Sequence, residues 1–142
     1  MKYILITICL YFLSIACLLN CYQEAGTLPE KEVSFEPETY MVSASVYHAC
    51  PKQTNSEPYI TAFGYRIDKQ SQYKHRYVAV SRDLLDIFSK GDSVYISDCG
   101  IYSGLYVIAD KMNKRWQNKI DILIDKDMPQ GLWHDVKIKK IK

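Results

Sequence analysis

A chain of 142 residues with 24% charged residues and a net charge of +2 is long enough for one domain and too weakly basic to indicate nucleic-acid binding. The three histidines, His48, His75 and His134, show no ligand spacing, so no metal site is expected. Twelve tyrosines together with frequent valine and isoleucine favour β-structure over helix.

The N-terminal residues have the pattern of an export signal. One lysine precedes an apolar run over residues 3–16, and small residues precede a cysteine. We therefore expect residues 1–16 to be a signal peptide of the lipoprotein type, with Cys17 carrying the lipid and Cys21 as the alternative. An uncleaved anchor is the other interpretation, because the run extended to Leu19 approaches the roughly 20 residues of a spanning helix. Both interpretations predict an exported protein, periplasmic or at the cell surface, that is anchored to the membrane.

The following segment, residues 17–39, predicts a tether. Its stretch "QEAGTLPEKEVSFEPE" is acidic, contains two prolines and one glycine, and has no periodicity. The folded domain is then expected over residues 40–142, which is enough for one core. Alternating apolar and β-branched residues predict strands at 40–49, 59–65, 76–81, 93–97, 105–110, 119–124 and 135–141.

One short helix is predicted between two of these strands. Leu84, Leu85 and Phe88 recur at helical spacing, Gly91 ends the pattern, and Ser81 stands where it can cap the first turn. Short strands separated by turns, with a single short helix, are typical of a small β-barrel. The predicted fold class is therefore mostly β, with a closed or nearly closed barrel.

Two carboxylates interrupt apolar runs near the C-terminal half of the domain. Asp110 ends one run, and Asp121 lies inside another, 121 − 110 = 11 residues later. If Ile120, Ile122 and Ile124 face the core, Asp121 points to the opposite face of its strand. Charged groups are rarely buried without a partner or a chemical role. Asp121 is therefore either a solvated residue on an amphipathic strand or a carboxylate in a groove.

The cysteines of the folded part leave alternatives open. Export would permit a disulfide between Cys50 and Cys99, and two buried free thiols are the alternative. A thiol enzyme that uses Cys50 with His48 is a further functional interpretation, since both side chains would lie on one face of a strand. It is disfavoured because reactive thiols usually begin a helix, whereas "VYHACPKQ" leads into a proline turn.

Three segments, in this order, resemble the three-aspartate (3D) domain. They are "TAFG" (61–64), "YVAVSRDLLDIFSKGDSVYI" (77–96) and "VIADKMNKRWQNKIDILI" (107–124). This domain is a double-psi β-barrel shared by the membrane-bound lytic transglycosylase A family and by resuscitation-factor-like and expansin-like wall proteins. The spacing of 11 between the aspartates is similar to the family's spacing. The resemblance runs from about Thr61 to Ile141 and implies a small double-psi β-barrel of six to seven strands with one short helix.

The resemblance implies roles for the two aspartates. The transglycosylases cleave the MurNAc–GlcNAc bond of peptidoglycan. Asp121 matches their catalytic acid, and Asp110 matches the aspartate that neighbours this acid across the loop. The family's first aspartate falls on Ser81, with Asp83 as a substitute, and the loop glycines are replaced by "KMNKRWQN". Catalysis requires a protonated Asp121 near neutral pH. The charge of Asp110, with partial burial in addition, is expected to raise the pKa of Asp121 accordingly.

Residues around the aspartates are candidates for substrate contact. Basic side chains could attract the carboxylates of peptidoglycan, and an indole ring could stack on a sugar. The predicted substrate-binding residues are Trp116, Lys114, Arg115, Ser81 and Asp83.

The alternative function is a non-catalytic, expansin-like module that binds peptidoglycan. Ser81 at the family's first aspartate and the rewritten loop favour this alternative. The expected partners are peptidoglycan and, through the N-terminal lipid or anchor, the membrane. The protein is expected to be a monomer that needs no metal, cofactor or nucleic acid.

Overall fold

The structure is a computed structural model that describes residues 37–52, 54 and 57–141. Its strands are β1 (Thr39–Tyr47), β2 (Tyr77–Val80), β3 (Ser93–Ser97), β4 (Gly104–Lys111), β5 (Lys119–Leu123) and β6 (Leu132–Lys140). Three short 3-10 helices are also present, at Tyr73–His75, Arg82–Leu84 and Gly100–Tyr102. The described residues contain no α-helix.

The six strands close into a barrel in the order β1-β5-β2-β4-β3-β6. The pairs β1–β5 and β2–β4 are parallel, and the other four pairs are antiparallel. Closure leaves no strand edge unpaired, which protects a small β-domain from edge-to-edge association. The predicted fold class, a small and mostly β closed barrel, is confirmed.

The N-terminal predictions fall almost wholly outside the described residues. The signal peptide (1–16), Cys17, Cys21 and most of the tether (17–39) belong to this part of the chain, while β1 already begins at Thr39. Within the described part of the chain, no helix combines the length and the apolar character that crossing a bilayer requires.

The strand predicted at residues 59–65 is wrong. Only an isolated bridge joins Ile60 to Arg66, and a tight turn lies between them. Gly64 donates its N–H to the carbonyl oxygen of Thr61 at 2.8 Å and has a φ of 85°. That left-handed conformation suits glycine and ends an extended strand. The apolar residues of this segment therefore contribute to a turn that packs against the barrel.

The predicted short helix is present only as the 3-10 helix Arg82–Leu84, followed by turns. Ser81 stands at its N-terminal cap position, but its hydroxyl makes no capping hydrogen bond. The Ser81 hydroxyl accepts the backbone N–H of Lys119 at 3.0 Å instead. Leu84 and Phe88 still reach the core, at 6% and 0% exposed. The apolar spacing thus predicted the burial of Leu84 and Phe88 correctly, whereas the predicted capping role of the Ser81 hydroxyl is wrong.

Alternation along the strands divides the apolar residues between two clusters. The main cluster fills the barrel. It includes Ile120 and Ile122 of β5 and also Ile124, the residue that follows this strand. A second cluster includes Leu123 and Ala79, which project from the opposite face of β5 and β2. Asp121 shares this second face, as its position between Ile120 and Ile122 predicts.

The predicted disulfide between Cys50 and Cys99 is not formed, and both residues are free cysteines. Cys99 is fully buried in the main cluster, where burial raises the pKa of its thiol to about 11. Ala49, the residue before Cys50, packs in the second cluster instead. Cys50 itself is only partly buried and belongs to neither cluster, whereas Cys99 lies inside the main one.

Candidate functional site

Asp110 and Asp121 lie on either side of one strand. Ala79 of β2 pairs with Asp110 of β4 on one side and with Asp121 of β5 on the other. Ser45 of β1 pairs with Asp121 from the far side. Because residues directly opposite each other project to the same face of a sheet, these four side chains form one row. Two strand spacings separate the Cα atoms of the aspartates by roughly 10 Å.

A β-bulge directs Asp110 into this row. Val78 pairs with Ile108, but the next residue of β2, Ala79, pairs with Asp110, so that Ala109 is an extra residue in β4. Without it, strict alternation from the buried Ile108 would point Asp110 into the barrel. A bulge of this kind re-aims the side chain that follows it. The second carboxylate of the site therefore depends on one inserted residue.

The spacing of 11 residues has a topological cause. The connection from β4 to β5 crosses over the end of β2, because β2 lies between those two strands. Ser81 fixes the crossing: it donates its N–H to the carbonyl oxygen of Lys119 at 2.9 Å and accepts the Lys119 N–H on its hydroxyl. Asp83 accepts the N–H of Asn118 at 2.8 Å. Ser81 and Asp83 thus hold the loop.

Three residues of the row, Ala79, Asp110 and Asp121, line a cleft of about 500 Å³. Of the predicted site residues, Asp110, Asp121, Trp116 and Arg115 line the cleft together. Lys114, Ser81 and Asp83 are not among its lining residues. Further residues that line the cleft include Tyr47, Ile67, Ala79, Arg82, Lys111 and Met112.

Asp121 is the most perturbed carboxyl group of the cleft. Burial is the largest cause, and it raises the pKa of Asp121 to about 6. The hydroxyl of Ser45 donates to Oδ1 at 2.8 Å and, with the charge of Lys119, opposes that rise. The charge of Asp110 adds only the smallest contribution. The expected order of causes, Asp110 first and burial second, is therefore reversed.

Asp110 is held by backbone donors. Its Oδ1 accepts the N–H groups of Ala62 and Lys111, each at 2.8 Å. Burial raises the pKa of Asp110, while those two hydrogen bonds oppose the rise. The hydroxyl of Tyr47 lies 3.5 Å from Oδ2. The bond to Ala62 also ties the segment before β2 to the cleft.

Tyr47 links the two carboxylates electrostatically. Burial raises the pKa of its phenol well above the ordinary value, and the charges of Asp110 and Asp121 raise it further. The phenol is therefore a neutral donor directed at Asp110. No set of three His, Cys, Asp or Glu side chains within residues 37–52, 54 and 57–141 is arranged to hold a metal ion.

Trp116 lies in the exposed loop between β4 and β5 and is 38% exposed. Two cations approach its ring: Nζ of Lys119 is 4.0 Å from the ring centroid, and the guanidinium carbon of Arg115 is 5.1 Å away. Cations bind the faces of indole rings favourably. A sugar that stacks on this ring must therefore share or displace these contacts. Trp133, by contrast, packs against the main core cluster.

Sequence reasoning did not assign site roles to Ser45, Tyr47, Arg82 or Ala62. The alternation of "YMVSASVYHA" does place Ser45 and Tyr47 on one face of β1, which is the available signal for them. Arg82 and the backbone of Ala62 reach the cleft through tertiary packing. No local pattern marks them.

No family model and no curated protein matches the chain. A solved structure with some similarity is a point mutant of Clavibacter michiganensis expansin in complex with cellohexaose, at 14% identity and a TM-score of 0.48. The match covers 74% of this chain and 51% of that chain, so this chain spans about half the length of that protein. At this level of similarity the expansin's ligand says nothing about the ligand of this chain.

Proposed function

We propose that the chain is a divergent three-aspartate domain that acts on the glycan strands of peptidoglycan, cleaving the MurNAc–GlcNAc bond as lytic transglycosylases do. The observation that supports this proposal is the position of Asp121. Its carboxyl group lines a cleft and is partly buried, and its pKa is raised to about 6. A carboxyl group with a pKa near the working pH can both give and accept a proton during one reaction.

The reaction needs only one acid/base residue. Asp121 gives its proton to the glycosidic oxygen as the bond from that oxygen to the anomeric carbon of MurNAc breaks. The C6 hydroxyl of the same sugar attacks the anomeric carbon, and its proton passes to the Asp121 carboxylate. The products are a 1,6-anhydro sugar and a free hydroxyl on the leaving sugar, and Asp121 is protonated again. Because no water is activated, the second carboxylate of an ordinary glycosidase is not required as a base.

The neighbouring residues support this role of Asp121. Ser45 donates to Oδ1, which fixes the carboxyl group and leaves Oδ2 for the substrate. The sugar gains positive charge in the transition state, and a nearby carboxylate stabilises it. Asp110 lies in the same row and is oriented by two backbone N–H groups before any substrate arrives. It therefore serves as the electrostatic partner.

A glycan-binding module without catalysis is the second candidate function. It is favoured by the loop between β4 and β5, which contains no glycine and presents Trp116 beside the cleft. Bulky loop residues restrict the close approach of a glycan strand to Asp121, whereas the exposed indole of Trp116 still provides a surface for a sugar. In such a module Trp116, and not Asp121, would determine affinity.

Binding and cleavage assays on the same variants separate the two functions. The full-length protein is incubated with purified sacculi, and both pelleted protein and released sugar are measured. For the enzyme, Asp121→Asn pellets normally but releases nothing. For the binding module, the wild type releases nothing, and Trp116→Ala loses pelleting. Asp86→Asn, an exposed carboxylate outside the cleft, is the matched control.

The cellular location forms part of the same proposal. An exported lipoprotein, held at the membrane through Cys17 or Cys21, would place the cleft next to the wall polymer on which it acts. The acidic tether of residues 17–39 would supply the reach between the membrane and the glycan.

A further inference from the structure

The cleft is lined by more cationic than anionic side chains. Arg82, from the 3-10 helix after β2, and Lys111 and Arg115, from the end of β4 and the following loop, all line it. The acidic residues of the lining are Asp110 and Asp121. Three cations against two carboxylates leave an excess of positive charge. Protonation of Asp121 below its pKa of about 6 increases that excess.

These three cations are not neutralised by ion pairs within the described part of the chain. The ion pairs found there are Lys74–Asp68, Lys137–Asp98 and Lys140–Asp92. All of them involve residues outside the cleft lining. Elsewhere on the barrel, then, lysines are matched with nearby acids. Of the cleft cations, Lys111 lies over the ring of Phe63 and Arg115 over that of Trp116, and a carboxylate ligand can compete with such ring contacts.

The carboxylates of the cleft form no ion pair with these cations, although the charge of Lys111 acts on Asp110. Asp110 accepts its hydrogen bonds from backbone N–H groups, and Asp121 accepts one from Ser45. Arg82 and Arg115 are exposed, so that their guanidinium groups can reach a ligand. A guanidinium group presents paired donors that fit a carboxylate in a bidentate manner.

We infer that Arg82, Lys111 and Arg115 form a carboxylate-binding rim, by which the cleft selects glycan strands that bear carboxylates over neutral strands of the same backbone. This inference rests on the proposed function and names its substrate class. In peptidoglycan the carboxylate comes from one of two sources. Strands stripped of peptide expose the lactyl carboxylate of MurNAc, whereas intact strands carry the carboxylates of the stem peptide.

Binding measurements test this rim without relying on cleavage. All proteins are full-length and carry Asp121→Asn, so that no strand is cut. The test variant adds Arg82→Gln, Lys111→Gln and Arg115→Gln. The control variant instead adds Arg66→Gln, Lys52→Gln and Lys126→Gln, three exposed cations outside the cleft, and loses the same net charge. The ligands are peptide-bearing strands, peptide-free strands and a neutral N-acetylglucosamine oligosaccharide of equal length.

The rim variant is expected to bind carboxylate-bearing strands about ten-fold more weakly, because each exposed charge contact contributes about two- to three-fold. The control variant should change affinity by less than two-fold, and the neutral oligosaccharide should respond to neither variant. A loss confined to peptide-bearing strands assigns the carboxylate to the stem peptide, and a loss confined to peptide-free strands assigns it to the lactyl group. A loss with both kinds of strand shows that the rim accepts either carboxylate.

Two results would overturn the inference. If the control variant weakens binding as much as the rim variant, only overall charge matters. If the neutral oligosaccharide loses affinity equally, the rim does not recognise carboxylates. The proposed function fails separately, when the protein with Asp121 intact yields no 1,6-anhydro product from any strand, whatever the binding preference.

Discussion

Replacing Asp121 by Asn should stabilise the fold at neutral pH. The pKa of Asp121 is about 6 in the folded protein, against about 3.9 for a free aspartate. Between these two values the folded state binds more protons than the unfolded state. Stability therefore falls as the pH rises through this window. Asparagine is neutral at every pH and can still accept the hydrogen bond of Ser45, so the variant escapes this loss.

The magnitude follows from the same two pKa values. The ionised carboxylate costs on the order of 3 kcal/mol well above pH 6, at 1.36 kcal/mol for each pKa unit. Between pH 4.5 and pH 7.5, the stability advantage of Asp121→Asn over the wild type should grow by about 2 kcal/mol. For a domain of this size that corresponds to a rise in Tm of about 8–16 °C relative to the wild type.

Urea unfolding of both proteins at 25 °C, at several pH values from 4.5 to 7.5, measures this difference directly. Asp86→Asn serves as the control and should follow the wild type. The expected result is a gap that widens with pH for Asp121→Asn alone. A gap that stays constant over the whole range would show that Asp121 titrates as a free aspartate, and the proposed acid would lose its physical basis.

Three further predictions concern the pH profile and the anchor. Asp110→Asn should lower the pKa of Asp121 by about 0.3–0.6, and the upper limit of the pH–rate profile should fall by the same amount. This magnitude is that of two charges ~10 Å apart at an effective dielectric constant of about 40–80. Ser45→Ala should shift that limit upward by about 0.5–1, because it removes a hydrogen bond that favours the ionised carboxyl group. Shifts of equal sign in the two profiles would contradict the described cleft. Cys17→Ser should abolish labelling by radioactive palmitate while Cys21→Ser retains it, and the reverse pattern would assign the lipid to Cys21.

The overall fold could be predicted because its signals are local. Alternation on β5 places Ile120 and Ile122 inside and Asp121 outside, and each strand repeats this pattern with turn residues between strands. The strand prediction for residues 59–65 failed because their apolar side chains also fit a packed turn. Only the positive φ of Gly64 distinguishes the turn from a strand. Local composition cannot decide between those outcomes.

The site could be predicted only in part, because its geometry depends on register. The sequence identifies both aspartates, but the bulge at Ala109 that turns Asp110 toward the cleft leaves no trace in the residue pattern. Ser81 looked like a helix cap and a substrate contact. It bonds to Lys119 because the connection crosses β2, which is a consequence of the strand order. Arg82 reaches the cleft for the same reason.

Whether Asp121 is the catalytic acid is tested by mass spectrometry of peptidoglycan digested by the full-length protein at pH 5.5, with Asp121→Asn and Asp86→Asn in parallel. We expect 1,6-anhydromuropeptides from the wild type and from Asp86→Asn, and none from Asp121→Asn. Anhydro products that persist in Asp121→Asn, or their absence from the wild type, would contradict the assignment of Asp121 as the catalytic acid.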